Sequence, residues 1–124
     1  MKMKLELVSV PVSDVDRAKA FYVDKLDFHA DYDQNLNEKV RFVQLTPQGS
    51  ACSIVIGLGI TPMKPGSLDS LLLKVDDIKK AHSELKKKGV DVTDVKLEPW
   101  GAYHIYFQDP DGNKWQIQQS GPKK

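Results

Sequence analysis

Apolar and polar positions alternate from Leu5 to Val12, with Val8, Val10 and Val12 on one face and Leu5, Leu7 and Ser9 on the other. A period of two predicts a strand, and Pro11 near its end marks an edge or an exit. Ser13 and Asp14 then offer helix caps, and Asp16 puts an acid in the first turn. Val15, Ala18, Phe21, Tyr22 and Leu26 recur at helical spacing, which predicts an amphipathic helix over about 15–25. A short strand at 28–32, a polar turn at 35–38, a strand at 40–46, a turn at Pro47-Gln48-Gly49 and a strand at 51–56 follow. A glycine- and proline-rich stretch over about 58–67 divides the chain nearly in half.

The second half repeats the order of the first. A strand is expected over 68–75, then Asp76-Asp77 caps a helix carrying Ile78, Ala81, His82 and Leu85, and Gly89 ends it. A strand over 90–97 leads to a hairpin, in which Tyr103–Gln108 and Lys114–Gln118 flank Asp109-Pro-Asp-Gly-Asn113. In that turn Pro sets φ, Asp bonds its own backbone and Gly accepts positive φ. Val12-Ser-Asp-Val15 lies over Val75-Asp-Asp-Ile78, and Ala18 over Ala81. Each half therefore reads β-α-β-β-β, and the class is α+β. One such half has more apolar sheet face than a single helix covers, so two halves are expected to pair. The chain is a single domain over 1–124, with repeat one at about 5–57 and repeat two at about 68–119.

Composition narrows the function. The 124 residues are 40% hydrophobic and 28% charged with a net charge of +1, which suits a soluble globular domain and gives no electrostatic case for nucleic acid. Lys86-Lys87-Lys88 suits a helix C-terminus, and Lys123-Lys124 sits at the chain end. No apolar run approaches membrane-spanning length, and Met1-Lys-Met-Lys leads into a strand without a signal-peptide pattern. The single cysteine, Cys52, forms no disulfide within the chain and fits a reducing cytoplasm.

Two stretches carry a family resemblance. Val12-Ser-Asp-Val-Asp-Arg-Ala-Lys-Ala-Phe-Tyr22 with Leu26-Asp-Phe28 is one; Tyr106-Phe-Gln-Asp-Pro-Asp-Gly-Asn113 is the other. In this order the chain resembles the vicinal oxygen chelate superfamily, which includes glyoxalase I, bleomycin- and fosfomycin-resistance proteins and extradiol dioxygenases. The resemblance implies two βαβββ repeats forming a curled mixed sheet with helices outside. It does not imply a reaction, because one fold hosts many chemistries. Metal-dependent members place His and Glu on the first and last strands of each half, and the ion chelates two adjacent substrate oxygens. Carried over one at a time, those positions fall on Leu7, Ser70, Gln116 and about Val55. Apolar and neutral groups are poor substitutes for imidazole and carboxylate. No cofactor is therefore expected, and a divalent ion would need other ligands.

Strand parity and the resemblance give the candidate ligand-binding set: Leu7 and Ser9 on strand one, Ser70 on its repeat, and Trp100, His104, Tyr106 and Gln116 around the hairpin. Tyr106 resembles the phosphonate-contacting tyrosine of fosfomycin-resistance proteins. His104 is the general-base candidate, since imidazole titrates near neutrality; the plainer role for a histidine beside tyrosines is a hydrogen-bonded packing residue. Phosphate-cradling glycine loops, zinc clusters and nucleophile elbows are missing. Three functions remain open. The first is metal-free binding of a small organic molecule, as in the bleomycin-resistance branch. The second is a lyase, isomerase or dioxygenase-type enzyme using His104 and Tyr106 or relocated metal ligands. The third is a non-catalytic dimerisation module. Family members commonly pair, so a homodimer is expected, with the halves packed within one chain or exchanged between two.

Overall fold

The computed structural model describes residues 1–120, so Lys123 and Lys124 lie outside the described residues. Repeat one comprises β1 (Leu7–Ser9), α1 (Val15–Ala20) running on as a π-helical turn (Phe21–Lys25), β2 (His29–Asn37), β3 (Val40–Thr46) and β4 (Ser53–Leu58). Repeat two comprises β5 (Leu71–Lys74), α2 (Ile78–Lys87), β6 (Lys96–Leu97), β7 (Tyr103–Gln108) and β8 (Lys114–Gln119). Asp14 and Asp77 cap the helices, their carboxylates accepting the Arg17 and Lys80 backbone N–H at 3.1 Å each. Each repeat forms its own four-stranded mixed sheet, in the orders β1-β4-β3-β2 and β5-β8-β7-β6. The first and last strands of each repeat pair in parallel, and the other pairs are antiparallel.

Several strands differ from their expected extents, β1 (expected over 5–12) and β4 (expected over 51–56) among them. β2 continues to Asn37, through the expected turn, because it is an edge strand whose polar side chains stay in water. The chain reverses one step later, where Asn37 Oδ1 accepts the Lys39 N–H at 2.8 Å. β5 is confined to Leu71–Lys74, since Ser70 sits in left-handed backbone at φ 66 and breaks the alternation. The strand expected over 90–97 shrinks to Lys96–Leu97. Upstream of it Val90 and Val92 are buried, but a side chain replaces a ladder carbonyl: Thr93 Oγ1 accepts the Tyr106 N–H at 2.9 Å.

Both sheets turn one face to a shared core. Val10, Val43, Leu45, Ile54 and Ile56 come from the first sheet, and Ile105, Phe107, Trp115 and Ile117 from the second. Ala18 and Tyr22 of the first helical run, and Ile78 and Leu85 of α2, fill the space between. Burying each large side chain contributes about 1.5–3 kcal/mol relative to exposure. The halves thus pack on each other within one chain.

A polar lock joins the repeats inside this core. Asp109 Oδ2 accepts the Tyr22 hydroxyl at 2.6 Å and the Asn113 amide at 2.8 Å, while its Oδ1 accepts the Asp111 and Asn113 backbone N–H groups at 3.0 and 2.9 Å. Trp115 Nε1 donates to the Tyr22 oxygen at 3.0 Å, and Asn113 Nδ2 to the Pro11 carbonyl at 2.8 Å. Burial, then the Asp109 charge, pushes the Tyr22 hydroxyl far above the usual tyrosine range, so it stays a donor. Among the described residues no helix is long and apolar enough to cross a membrane.

Candidate functional site

With one face of each sheet committed to the core, the opposite faces are free to meet a ligand. On the second sheet, register sets the rows. Tyr106, Gln116 and Leu72 lie side by side, and His104, Gln118 and Lys74 form the next row. Lys96 of β6 continues the second row beside His104.

A hydrogen-bonded chain runs across this face. Glu98, buried in the turn after β6, accepts the Tyr106 hydroxyl through Oε1 at 2.8 Å. Tyr106 Oη lies 3.2 Å from His104 Nδ1, and His104 Nε2 lies 2.7 Å from the Gln118 side-chain oxygen. Because the Tyr106 proton goes to Glu98, the tyrosine oxygen is left to accept from Nδ1–H. Gln118 can then serve either charge state of His104, presenting its carbonyl to a protonated Nε2 or its amide to a bare one. The bond to Glu98, then burial, raises the Tyr106 pKa, which keeps the phenol protonated. Lys96 Nζ stands 3.7 Å from Glu98 Oε2 and partly balances its charge. The Trp100 indole meets the His104 ring edge-on at 5.7 Å and is 67% exposed, so it forms a wall to one side of the row.

The first sheet carries a different polar set. Leu7 lies beside Ser53, and Ser9 beside Val55, which faces Gln44. Thr46 and Ser53 share a hydroxyl–hydroxyl bond of 2.6 Å, and the Thr46 hydroxyl donates to Asp31. His29 Nδ1 lies 2.8 Å from the other Asp31 oxygen. The Thr46 bond, then the His29 bond, lowers the Asp31 pKa. Asp31 reaches these partners from a β-bulge between Ala30 and Tyr32, which re-aims its side chain.

Trp100, His104, Tyr106 and Gln116 therefore gather on the second sheet, while Leu7 and Ser9 belong to the first. Ser70 lies on neither ladder; it is exposed and its hydroxyl turns to Asp69 at 3.2 Å. By register the first-strand residue beside Gln116 is Leu72, not Ser70. The two open faces lie opposite the common core, and Ser53 of the first and Leu72 of the second line one cleft of about 310 Å³. Leu72 is 53% exposed and Tyr32 is 56% exposed on them. Among the described residues no three His, Cys, Asp or Glu side chains come together in a metal-holding group. Glu98, Asp31, Thr46 and Ser53 were not apparent from spacing. Glu98 follows a two-residue strand and so lies outside any periodic pattern, and Asp31 depends on a bulge that the sequence does not announce.

Known proteins share this architecture. Residues 4–117 match the Glyoxalase/Bleomycin resistance protein/Dioxygenase superfamily. TnmS3, an antibiotic binding protein from Streptomyces sp. CB03234, is 38% identical in its crystal structure, with a TM-score of 0.87 over 97% of this chain and 98% of that one. A glyoxalase/bleomycin resistance protein/dioxygenase superfamily member from Sphaerobacter thermophilus DSM 20745 is 30% identical, with a TM-score of 0.84 over 96% of this chain and 98% of that one. YwkD of Bacillus subtilis (strain 168), a protein without an assigned function, is 30% identical over 84% of this chain and 87% of its own. The chain belongs to the glyoxalase/bleomycin resistance protein/dioxygenase superfamily.

Proposed function

We propose that the protein binds a small organic molecule, without a metal, on the open face of its second sheet, in a cavity completed by the first-sheet face of a second copy. One observation carries this reading: each open face is preorganised yet uncovered in a single chain. Trp100 and Leu72 stand exposed beside the Glu98–Tyr106–His104–Gln118 chain, and Tyr32 stands exposed beside the Asp31 cluster. Apolar wall with a few fixed polar groups is the composition of ligand cavities. Leu7, Val55, Leu72 and Gln116 offer an ion neither imidazole nor carboxylate. TnmS3, at 38% identity, is an antibiotic binding protein, which supports a ligand of that general size. In this proposal the protein works in the cytoplasm as a homodimer.

The test is thermal unfolding against a panel of antibiotics and metabolites, together with light scattering. Binding raises the melting temperature by mass action, and Trp100→Ala is expected to reduce that rise. A panel without any stabiliser, or a monomer at high concentration, overturns the reading; a dimer that nothing stabilises points to a bare dimerisation module.

The Glu98–Tyr106–His104 chain favours a second reading, an enzyme in which Glu98 orients the pair and His104 moves a proton. Both His104 nitrogens are already partnered and the residue is only 4% exposed, which places binding first. Incubating each stabilising compound with the protein and analysing it by mass spectrometry separates the two. A product lost in His104→Ala supports catalysis.

A further inference from the structure

The two helices end in the same device but differ in one detail. α2 closes with Gly89 in left-handed backbone (φ 81) and a bond of 3.0 Å from Val90 N–H to the Leu85 carbonyl. The first helical run closes with Asp27 in the same conformation (φ 58) and a bond of 3.0 Å from Phe28 N–H to the Tyr22 carbonyl, one residue wider. Twelve residues take the chain from Val15 to Asp27 (27 − 15), and eleven from Ile78 to Gly89 (89 − 78). The extra residue is absorbed by the π-helical turn Phe21–Lys25. Such turns recur at functional sites, and a side chain held in left-handed backbone costs free energy that glycine avoids.

Both irregularities border one cleft of about 260 Å³ at the seam between the repeats. Its floor is apolar: Phe28, Leu73, Leu85 and Ile117, with Ala81 on the α2 side. The rim is polar and built. The Asp27 carboxylate holds Lys88 Nζ at 2.6 Å, and its carbonyl accepts Gln48 Nε2 at 3.1 Å, tying α2 and the β3–β4 turn to the end of the first helix. This explains an aspartate where repeat two has glycine. With Asp27 committed to Lys88, Lys25 lines the cleft without an ion-pair partner among the described residues, and Glu84 is the one acid left there. Lys25 Nζ lies 3.7 Å from where a Gly89 side chain would begin, at the C-terminal end of α2.

We propose that this cleft is a second ligand site, separate from the open sheet faces, for a small organic anion: a compact apolar body ending in a carboxylate or sulfonate. The apolar floor takes the body, and Lys25 takes the charge. The volume lies below the roughly 300–1,000 Å³ of sites for drug-sized ligands, which limits the occupant to about two fused rings. The site does not depend on dimer formation or on the proposed binding at the open faces.

The experiment is a titration of the uniformly ¹⁵N-labelled full chain with 2-naphthoate, followed by amide chemical shifts. Saturable shifts are expected at Asp27, Phe28, Ala81 and Leu85, with Trp100 and Tyr106 unmoved. The surface variant Lys25→Glu weakens binding about tenfold or more, as does replacing the probe by its neutral methyl ester. Ala81→Phe fills the cleft and removes the shifts. Shifts confined to His104, Gln116 and Gln118 overturn the proposal, as does the lack of saturation at about 5 mM probe. Equal affinity for naphthoate and its ester overturns the anionic class.

Discussion

The bond between Tyr22 and Asp109 joins the repeats at their most buried point, and its removal can be costed. Tyr22→Phe keeps the ring, so the contacts with Phe28 at 5.5 Å and Trp115 at 5.7 Å survive. It deletes a 2.6 Å bond to a carboxylate, worth about 1.5–3 kcal/mol. It also strands Trp115 Nε1–H, whose acceptor is the Tyr22 oxygen, and a buried unsatisfied donor costs about 1–3 kcal/mol. Partial relaxation makes these less than additive, and a loss of about 2–4 kcal/mol is expected. Asp109→Asn places an amide nitrogen where a proton acceptor is needed and costs about as much. The double variant should cost much less than the sum, because the bond can be lost only once, leaving a coupling of about 1.5 kcal/mol or more. Urea unfolding followed by far-UV circular dichroism measures all four proteins. With a slope of about 1–3 kcal/mol per molar urea, each single midpoint falls by roughly 1–2 M. A coupling below about 0.5 kcal/mol would refute the reasoning, since distant independent sites reach that value.

Three further outcomes follow from the same geometry. Gly57→Ala is expected to destabilise by about 2 kcal/mol or more, because its new Cβ would sit 2.0 Å from the Arg41 carbonyl oxygen across the β3–β4 ladder; a thermal melt matching wild type would remove that argument. Hydrogen bonds from Arg41, then Lys19, hold the Asp33 carboxyl well below the usual carboxylate range. A depressed acid stabilises the fold above its unfolded pKa of about 4, and that stabilisation is lost as pH falls below it. Asp33→Asn should therefore lose less stability than wild type between about pH 5 and 2, and parallel curves would contradict this. Titration of chelator-treated protein with nickel, zinc, manganese and iron near micromolar concentration should show no stoichiometric binding; tight binding would move the enzyme reading to the front.

The two stretches that carried the family resemblance turn out to touch each other. Tyr22 meets Asp109, Ser13 N–H donates to Asp111 at 3.0 Å, Arg17 reaches Asp111 at 3.4 Å, and Asn113 holds the Pro11 carbonyl. They lock one repeat to the other, which is why they specify the fold and leave the reaction open. Strands and helices with strong periodicity were legible for the same reason that they bury a face: β3 and β8 follow the alternation closely. Legibility ended where tertiary contacts override local pattern. β2 is mostly polar and exposed and is held by ladder bonds to β3, and Ser70 leaves its strand through one left-handed residue. The wider π-helical turn shows in the letters only as one extra residue between aligned repeats.

Divergence between the repeats bears most directly on the proposed binding. The first sheet offers hydroxyls and a carboxylate from Asp31, Thr46 and Ser53; the second offers Glu98, Tyr106, His104 and Gln118 beside an exposed indole. A closed pair of identical chains has two-fold symmetry, so any contact of the first face of one copy with the second face of its partner occurs twice. Such a pair encloses two equivalent cavities, each lined by both polar sets, whereas pairing like with like gives two unlike cavities of one kind each. The proposed function therefore requires one ligand per chain, with equal affinity at both sites in the absence of coupling between them. Native mass spectrometry of the dimer with a stabilising compound reads this directly. Successive addition of two ligands, with both steps weakened by Trp100→Ala and by Asp31→Asn, is the expected result. Saturation at one ligand per dimer, or sensitivity to only one of the two substitutions, would show that the faces do not meet in this way.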